Sequence, residues 1–211
     1  MTQTDVLVLA NLKGGTTKTT TAAYLAQAWS ERGRRVLCVD ADPQGSLTRW
    51  QGLGEWPVPV LGLASTRLHR QLWGVVDPER IDLVVIDTPP LEEREGIVAS
   101  ALRVATHVLV PMAPTLMELD RVTPVWTAIE DAAGHRDTDP RVSILLTRVV
   151  PNAGSTQVIR EALQAQGRHV LTATIPRREV YAQAFGGVVT AGDGPYGAVV
   201  DELLAAWAVR A

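Results

Sequence analysis

The residues best placed to do chemistry lie in one loop, residues 10–21, which reads Ala-Asn-Leu-Lys-Gly-Gly-Thr-Thr-Lys-Thr-Thr-Thr. An apolar run precedes it, Val6–Leu9, with the length and composition of a buried parallel strand. A helical pattern follows over residues 21–29, with its apolar residues on one face. A strand, a glycine-rich loop and a helix together form an anion site, because loop N–H groups and the positive end of the helix converge on one point. The stretch therefore predicts a phosphate-binding loop.

The side chains of this loop have separate predicted tasks. Lys18 adds a point charge for the phosphates, and the Thr19 hydroxyl can ligate Mg²⁺. Thr17 stands where the usual phosphate loop has glycine, and a threonine forced to positive φ is strained by about 1–3 kcal/mol. A second lysine, Lys13, is not needed to cradle phosphates in its own loop, so it requires another role. The predicted nucleotide-binding residues of the loop are Lys13, Gly14, Gly15, Thr16, Thr17, Lys18, Thr19 and Thr20.

Carboxylates stand at the ends of two further apolar strand patterns. Residues 36–45 read Val-Leu-Cys-Val-Asp-Ala-Asp-Pro-Gln-Gly and place Asp40 and Asp42 after a strand. Residues 81–90 read Ile-Asp-Leu-Val-Val-Ile-Asp-Thr-Pro-Pro and end the strand at Asp87. In isolation an aspartate before proline, such as Asp42, is an ordinary turn residue. Beside a phosphate loop, both motifs predict carboxylates that serve phosphate chemistry.

In this order the three motifs resemble the deviant Walker A loop, the Asp-x-Asp motif and the Walker B strand of the ParA/MinD family of P-loop ATPases. The resemblance implies an ATPase that uses ATP and Mg²⁺ and dimerises on ATP binding. It implies that Lys13 crosses the dimer interface to the partner subunit's nucleotide, and that Lys18 bridges the β- and γ-phosphates. The alternative, a glycine-rich turn with surface lysines, does not account for the other two motifs.

The resemblance also assigns roles to the carboxylates. Asp42 is expected to orient the attacking water, with Asp40 supporting it from the strand end. Thr19 is expected to bind Mg²⁺ directly, and Asp87 to hold the ion through water. The implied catalytic residues are therefore Lys13, Lys18, Asp42 and Asp40, and the implied metal-binding residues are Thr19 and Asp87.

The C-terminal third resembles the small plasmid and chromosomal ParA partition ATPases. By that resemblance, two strand ends flank the adenine base, and the base-binding residues are Thr147, Arg148 and Pro176. Residues 141–180 are also locally basic in a protein whose net charge is −3. This basic stretch predicts binding to DNA phosphates without sequence specificity. The expected DNA contacts are Arg168, Arg177 and Arg178; a solvated face with ion pairs is the alternative.

Composition sets limits on the class of protein. The chain of 211 residues is 46% hydrophobic and 20% charged, as expected for a single globular domain over residues 1–211. The single cysteine, Cys38, lies in a strand pattern and excludes a disulfide framework and the iron–sulfur and arsenite relatives of this superfamily. The first strand pattern begins near residue 5, which leaves no room for a signal peptide or an N-terminal DNA-reading domain. No apolar run reaches ~18 residues, so a cytoplasmic protein without membrane association is expected.

Strand and helix patterns alternate along the chain, which predicts an α/β fold with a mostly parallel twisted sheet and helices on both faces. Among the expected elements are an edge strand at 60–63, a helix over 92–105 and a helix from Ser155, the last with Ser155 as its N-cap. A strand over 170–175 is expected to close the sheet. A helix is expected to start near Arg177, and the last helix to end the chain.

The sequence leaves several functions open. A MinD-like membrane ATPase shares the motifs, but it needs a basic amphipathic terminal helix, whereas the tail here carries Asp201 and Glu202. A P-loop metabolic ligase of the dethiobiotin synthetase type would not need Lys13. A ParA-like positioner of a protein cargo fits equally well. The favoured function is a nucleoid-associated partition ATPase that dimerises on ATP, binds DNA nonspecifically and works with a ParB-like centromere-binding partner.

Overall fold

A computed structural model describes residues 4–54, 56–136, 138–192 and 194–208. The strands are β1 Asp5–Leu9, β2 Val36–Asp40, β3 Val60–Gly62, β4 Leu83–Asp87, β5 His107–Met112 and β6 Arg141–Leu146. The helices are α1 Lys18–Glu31, α2 Ser46–Leu53, α3 Leu68–Val75, α4 Glu95–Leu102, α5 Leu116–Ala133, α6 Ser155–Ala165, α7 Glu179–Ala182 and α8 Pro195–Ala208.

The strands form one parallel sheet in the order β3-β2-β4-β1-β5-β6. The central strands β1, β4 and β5 are apolar except at their ends, as expected for strands covered on both faces. Their register is informative, because β4 ends with Asp87 opposite Leu9 of β1 on one side and opposite Asp40 of β2 on the other. The predicted α/β class and the edge position of β3 are confirmed.

Helices cover both faces of the sheet, and each face has its own apolar core. Successive residues of β1 point to opposite faces of the sheet: Val6 and Val8 pack in the first core, and Leu7 and Leu9 pack in the second. Helices α3, α4, α5 and α6 complete the first core, and α1, α2 and α8 complete the second. The predicted two-sided helical cover is therefore confirmed.

Two local predictions are wrong, and one predicted helix is shorter than expected. The stretch 170–175 forms no strand; it meets β6 through a single bridge between Val170 and Ile144, so β6 is the last strand of the sheet. Ser155 is the first residue of α6 and not its cap, because the capping position is Gly154 and makes no side-chain capping bond. The helix expected over 92–105 is shorter, since residues 88–94 form a loop before α4.

Topology brings the candidate residues together. In a parallel sheet all strands end at the same edge, and ligands bind in the crevice outside that edge. The phosphate loop follows β1, the Asp40–Asp42 pair ends β2, Asp87 ends β4 and Thr147 follows β6. The same edge therefore carries every predicted nucleotide-site residue. In the described part of the chain, no helix has the length and apolar character needed to cross a membrane.

Candidate active site

A cavity of about 890 Å³ opens at the carboxyl edge of the sheet. The phosphate loop forms its floor, and residues after β6 and before α7 form the opposite wall. Its lining includes Gly14, Gly15, Thr16, Thr17, Lys18, Thr19, Thr20, Asp42, Thr88, Pro90, Thr147, Arg148, Pro176, Arg177, Arg178, Tyr181 and Tyr196. The size suits a nucleotide-sized ligand. Residues predicted separately for phosphate, water and base are thus brought to one cavity.

Helix α1 begins at Lys18, so its N-terminus is at the phosphate loop. The Lys18 ammonium is buried and donates to the backbone oxygen of Lys13 at 3.0 Å. Burial lowers the pKa of Lys18, while the nearby carboxylates of Asp87 and Asp42 oppose that shift. A desolvated ammonium at a helix N-terminus attracts an anion strongly, because the low local dielectric weakens the field little.

Thr17 has the left-handed backbone that its position predicts, with φ 70° and ψ 15°. This region is strained for a β-branched residue. The Thr17 hydroxyl donates to the Thr147 hydroxyl at 3.1 Å, across the cavity floor. The departure from glycine therefore introduces both strain and a new contact.

The Thr19 hydroxyl and the Asp87 carboxylate form the candidate metal site. Thr19 Oγ1 donates to Asp87 Oδ2 at 2.6 Å. The other carboxylate oxygen, Oδ1, is buried and has no hydrogen-bond partner among the residues that the structure describes. Burial raises the pKa of Asp87 to about 7. An orphaned carboxylate oxygen beside a hydroxyl is the hard oxygen donor set that Mg²⁺ prefers, so these residues fit the ion.

The two carboxylates after β2 occupy different surroundings. Asp42 lines the cavity, and its Oδ1 accepts from the backbone N–H of Gln44 at 2.9 Å. Asp40 is buried, and its Oδ2 accepts from the N–H and the hydroxyl of Thr48 at 2.8 and 2.9 Å. Asp40 Oδ1 accepts from the N–H of Asp42 at 3.2 Å. Asp40 therefore orders the first turn of α2 and the backbone at Asp42, while Asp42 itself lines the cavity.

Lys13 points away from the main cavity. Its ammonium forms an ion pair with Glu92, in the loop after β4, with side-chain exposures of 38% and 35%. Backbone bonds from Leu91 and Glu92 to residues 11 and 12 hold the two loops side by side. A smaller cavity of about 220 Å³ adjoins this place, lined by Lys13, Gly14, Gly15, Thr16, Ala113, Glu118, Arg121, Thr147 and Arg148. The lysine that the sequence singled out is thus directed outward.

The predicted base-binding residues Thr147, Arg148 and Pro176 all line the same cavity. Thr147 is buried, and Pro176 lies beside the same turn through a bridge to Val149. Arg148 has φ 53°, and its guanidinium donates to the backbone oxygen of Gly15. The turn after β6 is therefore bound directly to the phosphate loop.

The structure separates the three arginines predicted to contact DNA. Arg177 and Arg178 are exposed at the cavity rim, directly before α7. Arg168 follows the C-terminal end of α6, toward the opposite edge of the sheet, and its guanidinium lies 4.3 Å from the centre of the Trp126 ring. That stacking is a cation–π contact. The basic stretch is not one continuous surface.

Several residues that line the cavity were not predicted as site residues. Thr88 and Pro90 could have been, because they belong to the motif of residues 81–90 that contains Asp87. Tyr181 and Tyr196 could not, because they reach the cavity wall by packing against each other, at 5.4 Å between ring centres. Glu92 likewise becomes visible only through its contact with Lys13.

Comparison with known proteins agrees with this geometry. The model of the CobQ/CobB/MinD/ParA nucleotide binding domain matches residues 7–187. The maintenance of carboxysome distribution protein A of Halothiobacillus neapolitanus is 33% identical over 184 residues, covering 84% of this chain and 82% of that protein. The chromosome-partitioning ATPase Soj of Thermus thermophilus is 30% identical over 218 residues, covering 84% and 83%.

A solved structure extends the likeness to the fold. The cobyrinic acid a,c-diamide synthase of Mycobacterium smegmatis, with bound ADP and magnesium, has a TM-score of 0.76 and 26% identity, covering 98% of this chain and 96% of that one. The chain therefore belongs to the CobQ/CobB/MinD/ParA family of nucleotide-binding domains. Within it, the chain is a ParA/MinD-type ATPase.

Proposed function

We propose that this protein is a cytoplasmic, nucleoid-associated ATPase that forms an ATP-bound sandwich dimer, binds DNA without sequence preference and drives partition of a plasmid or chromosome. Its ligands are ATP and Mg²⁺, and its partner is a ParB-like centromere-binding protein. One observation carries the proposal: the outward Lys13 lies beside a complete phosphate, metal and base cavity. ATP favours the dimer and ADP the monomer, so the nucleotide acts as a population switch.

Within the cavity, the chain's own residues position the reactants for phosphoryl transfer to water, which depends mostly on positioning and charge neutralisation. Lys18 holds the β- and γ-phosphates at the N-terminus of α1. Thr19 would bind Mg²⁺ directly and Asp87 would hold it through water, and the ion would supply positive charge to the transferring group. Asp42 lines the cavity and orients the attacking water, with its backbone held by Asp40. A slow intrinsic rate follows, since no cationic group beyond Lys18 is buried at the phosphate loop among the described residues.

The dimer is tested at Lys13. Its ammonium lies outside its own main cavity, so the Lys13→Ala variant should bind ATP normally and lose the ATP-dependent dimer. Light scattering with a non-hydrolysable ATP analogue measures the dimer, and calorimetry measures the affinity. ATP-dependent dimers in this variant would exclude the cross-subunit role.

DNA binding is tested at Arg177 and Arg178. Both are exposed, and no ion pair joins them to a carboxylate within the described ranges. A dimer presents each arginine twice, and about four phosphate contacts imply a log–log salt slope of roughly −3.6 from this pair. From about 50 to 200 mM salt, the affinity then falls about a hundredfold through these contacts alone.

The experiment compares DNA affinity against salt for the wild type and the Arg177→Ala/Arg178→Ala variant, with ATP analogue, with ADP and without nucleotide. Arg67→Ala/Arg70→Ala is the matched control, since it removes two exposed arginines around the start of α3, on the other face of the sheet. The first variant should flatten the slope. Because both arginines line the rim of the nucleotide cavity, calorimetry first gives the concentration of ATP analogue that saturates each protein, and DNA binding is measured at that concentration. Equal slopes in all three proteins would place the DNA surface elsewhere.

A second candidate function is the positioning of a protein cargo. Its support is the similarity to two proteins named for maintenance of carboxysome distribution, at 33% and 34% identity. The two functions share the ATPase cycle and differ in the partner that stimulates hydrolysis. Testing the purified products of neighbouring genes separates them: a site-specific DNA-binding activator supports partition, and an activator without DNA affinity supports cargo positioning. Hydrolysis without any organic acid substrate argues against a ligase.

A further inference from the structure

Two side-chain contacts bind the phosphate loop to the turn after β6. The Thr17 hydroxyl donates to the Thr147 hydroxyl at 3.1 Å, and the Arg148 guanidinium donates to the backbone oxygen of Gly15. These residues lie about 130 positions apart in the sequence. The contacts therefore join the phosphate loop to the wall of the cavity that the turn after β6 forms.

The joined residues have unusual backbones on both sides. Thr17 has φ 70° and Arg148 has φ 53°, so two residues that carry side chains adopt the left-handed region. Such conformations persist where surrounding contacts over-determine them, and they concentrate at ligand sites. The phosphate-loop motif that this sequence resembles usually has glycine at this position, whereas Thr17 carries a methyl group and a hydroxyl there.

The Thr17 hydroxyl is not used for the helix that it precedes. It occupies the capping position of α1, yet it accepts no capping hydrogen bond from that helix. Thr147 is a fixed anchor, since it is buried and its N–H donates to the backbone oxygen of Met112 at 2.8 Å. The hydroxyl pair therefore ties a strained loop position to a rigid strand end.

We propose that Thr17 is a positioning residue that holds the phosphate loop at a set spacing from the base turn. A ligand that touches both ends, a nucleoside triphosphate, finds them pre-organised and loses less ordering free energy on binding. A ligand that contacts only the phosphate loop gains no affinity from the Thr17–Thr147 hydrogen bond. This inference rests on the proposed function of the cavity as a nucleotide site.

The test compares two ligands that differ only in reach: a non-hydrolysable ATP analogue and inorganic tripolyphosphate, each titrated calorimetrically with Mg²⁺. The Thr17→Val variant keeps the branched shape and removes the hydroxyl, and Thr147→Val removes its partner. Each should weaken the ATP analogue roughly 2- to 12-fold, the range of one neutral hydrogen bond, and leave tripolyphosphate affinity unchanged. The double variant should be no weaker than either single variant. Thr17→Ser retains the hydroxyl and should bind as the wild type does.

Three results would overturn the proposal. Equal losses for both ligands would mean that Thr17 merely shapes the phosphate loop. Wild-type affinity for the ATP analogue in both valine variants would mean that the Thr17–Thr147 hydrogen bond has no effect on nucleotide binding. Additive losses in the double variant would mean that the hydroxyls act separately. Thermal unfolding checks the fold, and where Thr17→Val fails to fold, Thr147→Val decides the matter because Thr147 has an ordinary backbone. A wild-type chain that binds tripolyphosphate and not the analogue would refute the nucleotide function itself.

Discussion

Replacing Asp87 with asparagine tests the strongest electrostatic feature of the site, a fully buried carboxylate. Burial raises the pKa of Asp87 to about 7, whereas an unfolded aspartate titrates near ~3.9. The folded state therefore holds this proton more tightly than the unfolded chain does. Consequently the group favours folding at low pH, below the unfolded pKa, and that stability is lost as the pH rises through 7.

The magnitude follows from the two pKa values. From about pH 5 to pH 8, the wild type should lose about 2.5 kcal/mol through Asp87, at about 1.4 kcal/mol per unit. Asparagine does not titrate, but its amide hydrogens have no partner at the buried Oδ1 position and cost about 1–3 kcal/mol. Relative to the wild type, Asp87→Asn should thus be about 1–3 kcal/mol less stable near pH 5. The difference should shift by about 2.5 kcal/mol in favour of the variant by pH 8, where the two stabilities should lie within about 1.5 kcal/mol of each other.

Urea unfolding of both proteins across this pH range, with EDTA and without nucleotide, gives the difference directly. All other side chains are the same in both proteins, so their contributions cancel in the difference. A stability difference that stays constant with pH would refute the argument from burial. Mg²⁺-dependent ATP affinity should fall in the variant. Such a fall would show that the Asp87 carboxylate contributes to ligand binding although its burial lowers the stability of the folded protein at high pH.

Three further substitutions test other parts of the site. Lys18→Ala should abolish ATP binding in calorimetry, because the buried ammonium is the main charge for the phosphates; unchanged affinity would remove the phosphate-loop assignment. Asp42→Ala should bind ATP and dimerise without hydrolysis, as measured by phosphate release, and normal turnover would move the water-orienting role, with Asp40 the next residue to test. Glu92→Gln should tighten the ATP-dependent dimer up to ~5-fold per subunit, because an exposed ion pair contributes at most ~1 kcal/mol. In the single subunit Glu92 holds Lys13 in an ion pair, and in the proposed dimer Lys13 would leave Glu92 for the partner subunit's nucleotide. Sedimentation measures the dimer affinity of Glu92→Gln against that of Glu93→Gln, a neighbouring control. Equal dimer affinities would contradict this competition between Glu92 and the nucleotide for Lys13.

The sequence alone was enough for the fold class and the centre of the site. The phosphate loop, the strand before it and the helix after it are contiguous, so local pattern determines their geometry. Asp87 and Asp42 follow apolar strands, and parallel strands that end at one edge must bring such residues together. Even the strained backbone at Thr17 was predictable, because it depends on the loop conformation and not on distant contacts.

The long-range contacts between side chains could be seen only in the tertiary structure. Arg168 stacks on Trp126 while Arg177 and Arg178 reach the cavity rim, although all three belong to one basic stretch of sequence. Thr17 meets Thr147, and Lys13 meets Glu92, across separations of 130 and 79 residues. Pairings of this kind depend on packing angles and strand order rather than on local periodicity, and no spacing rule encodes them.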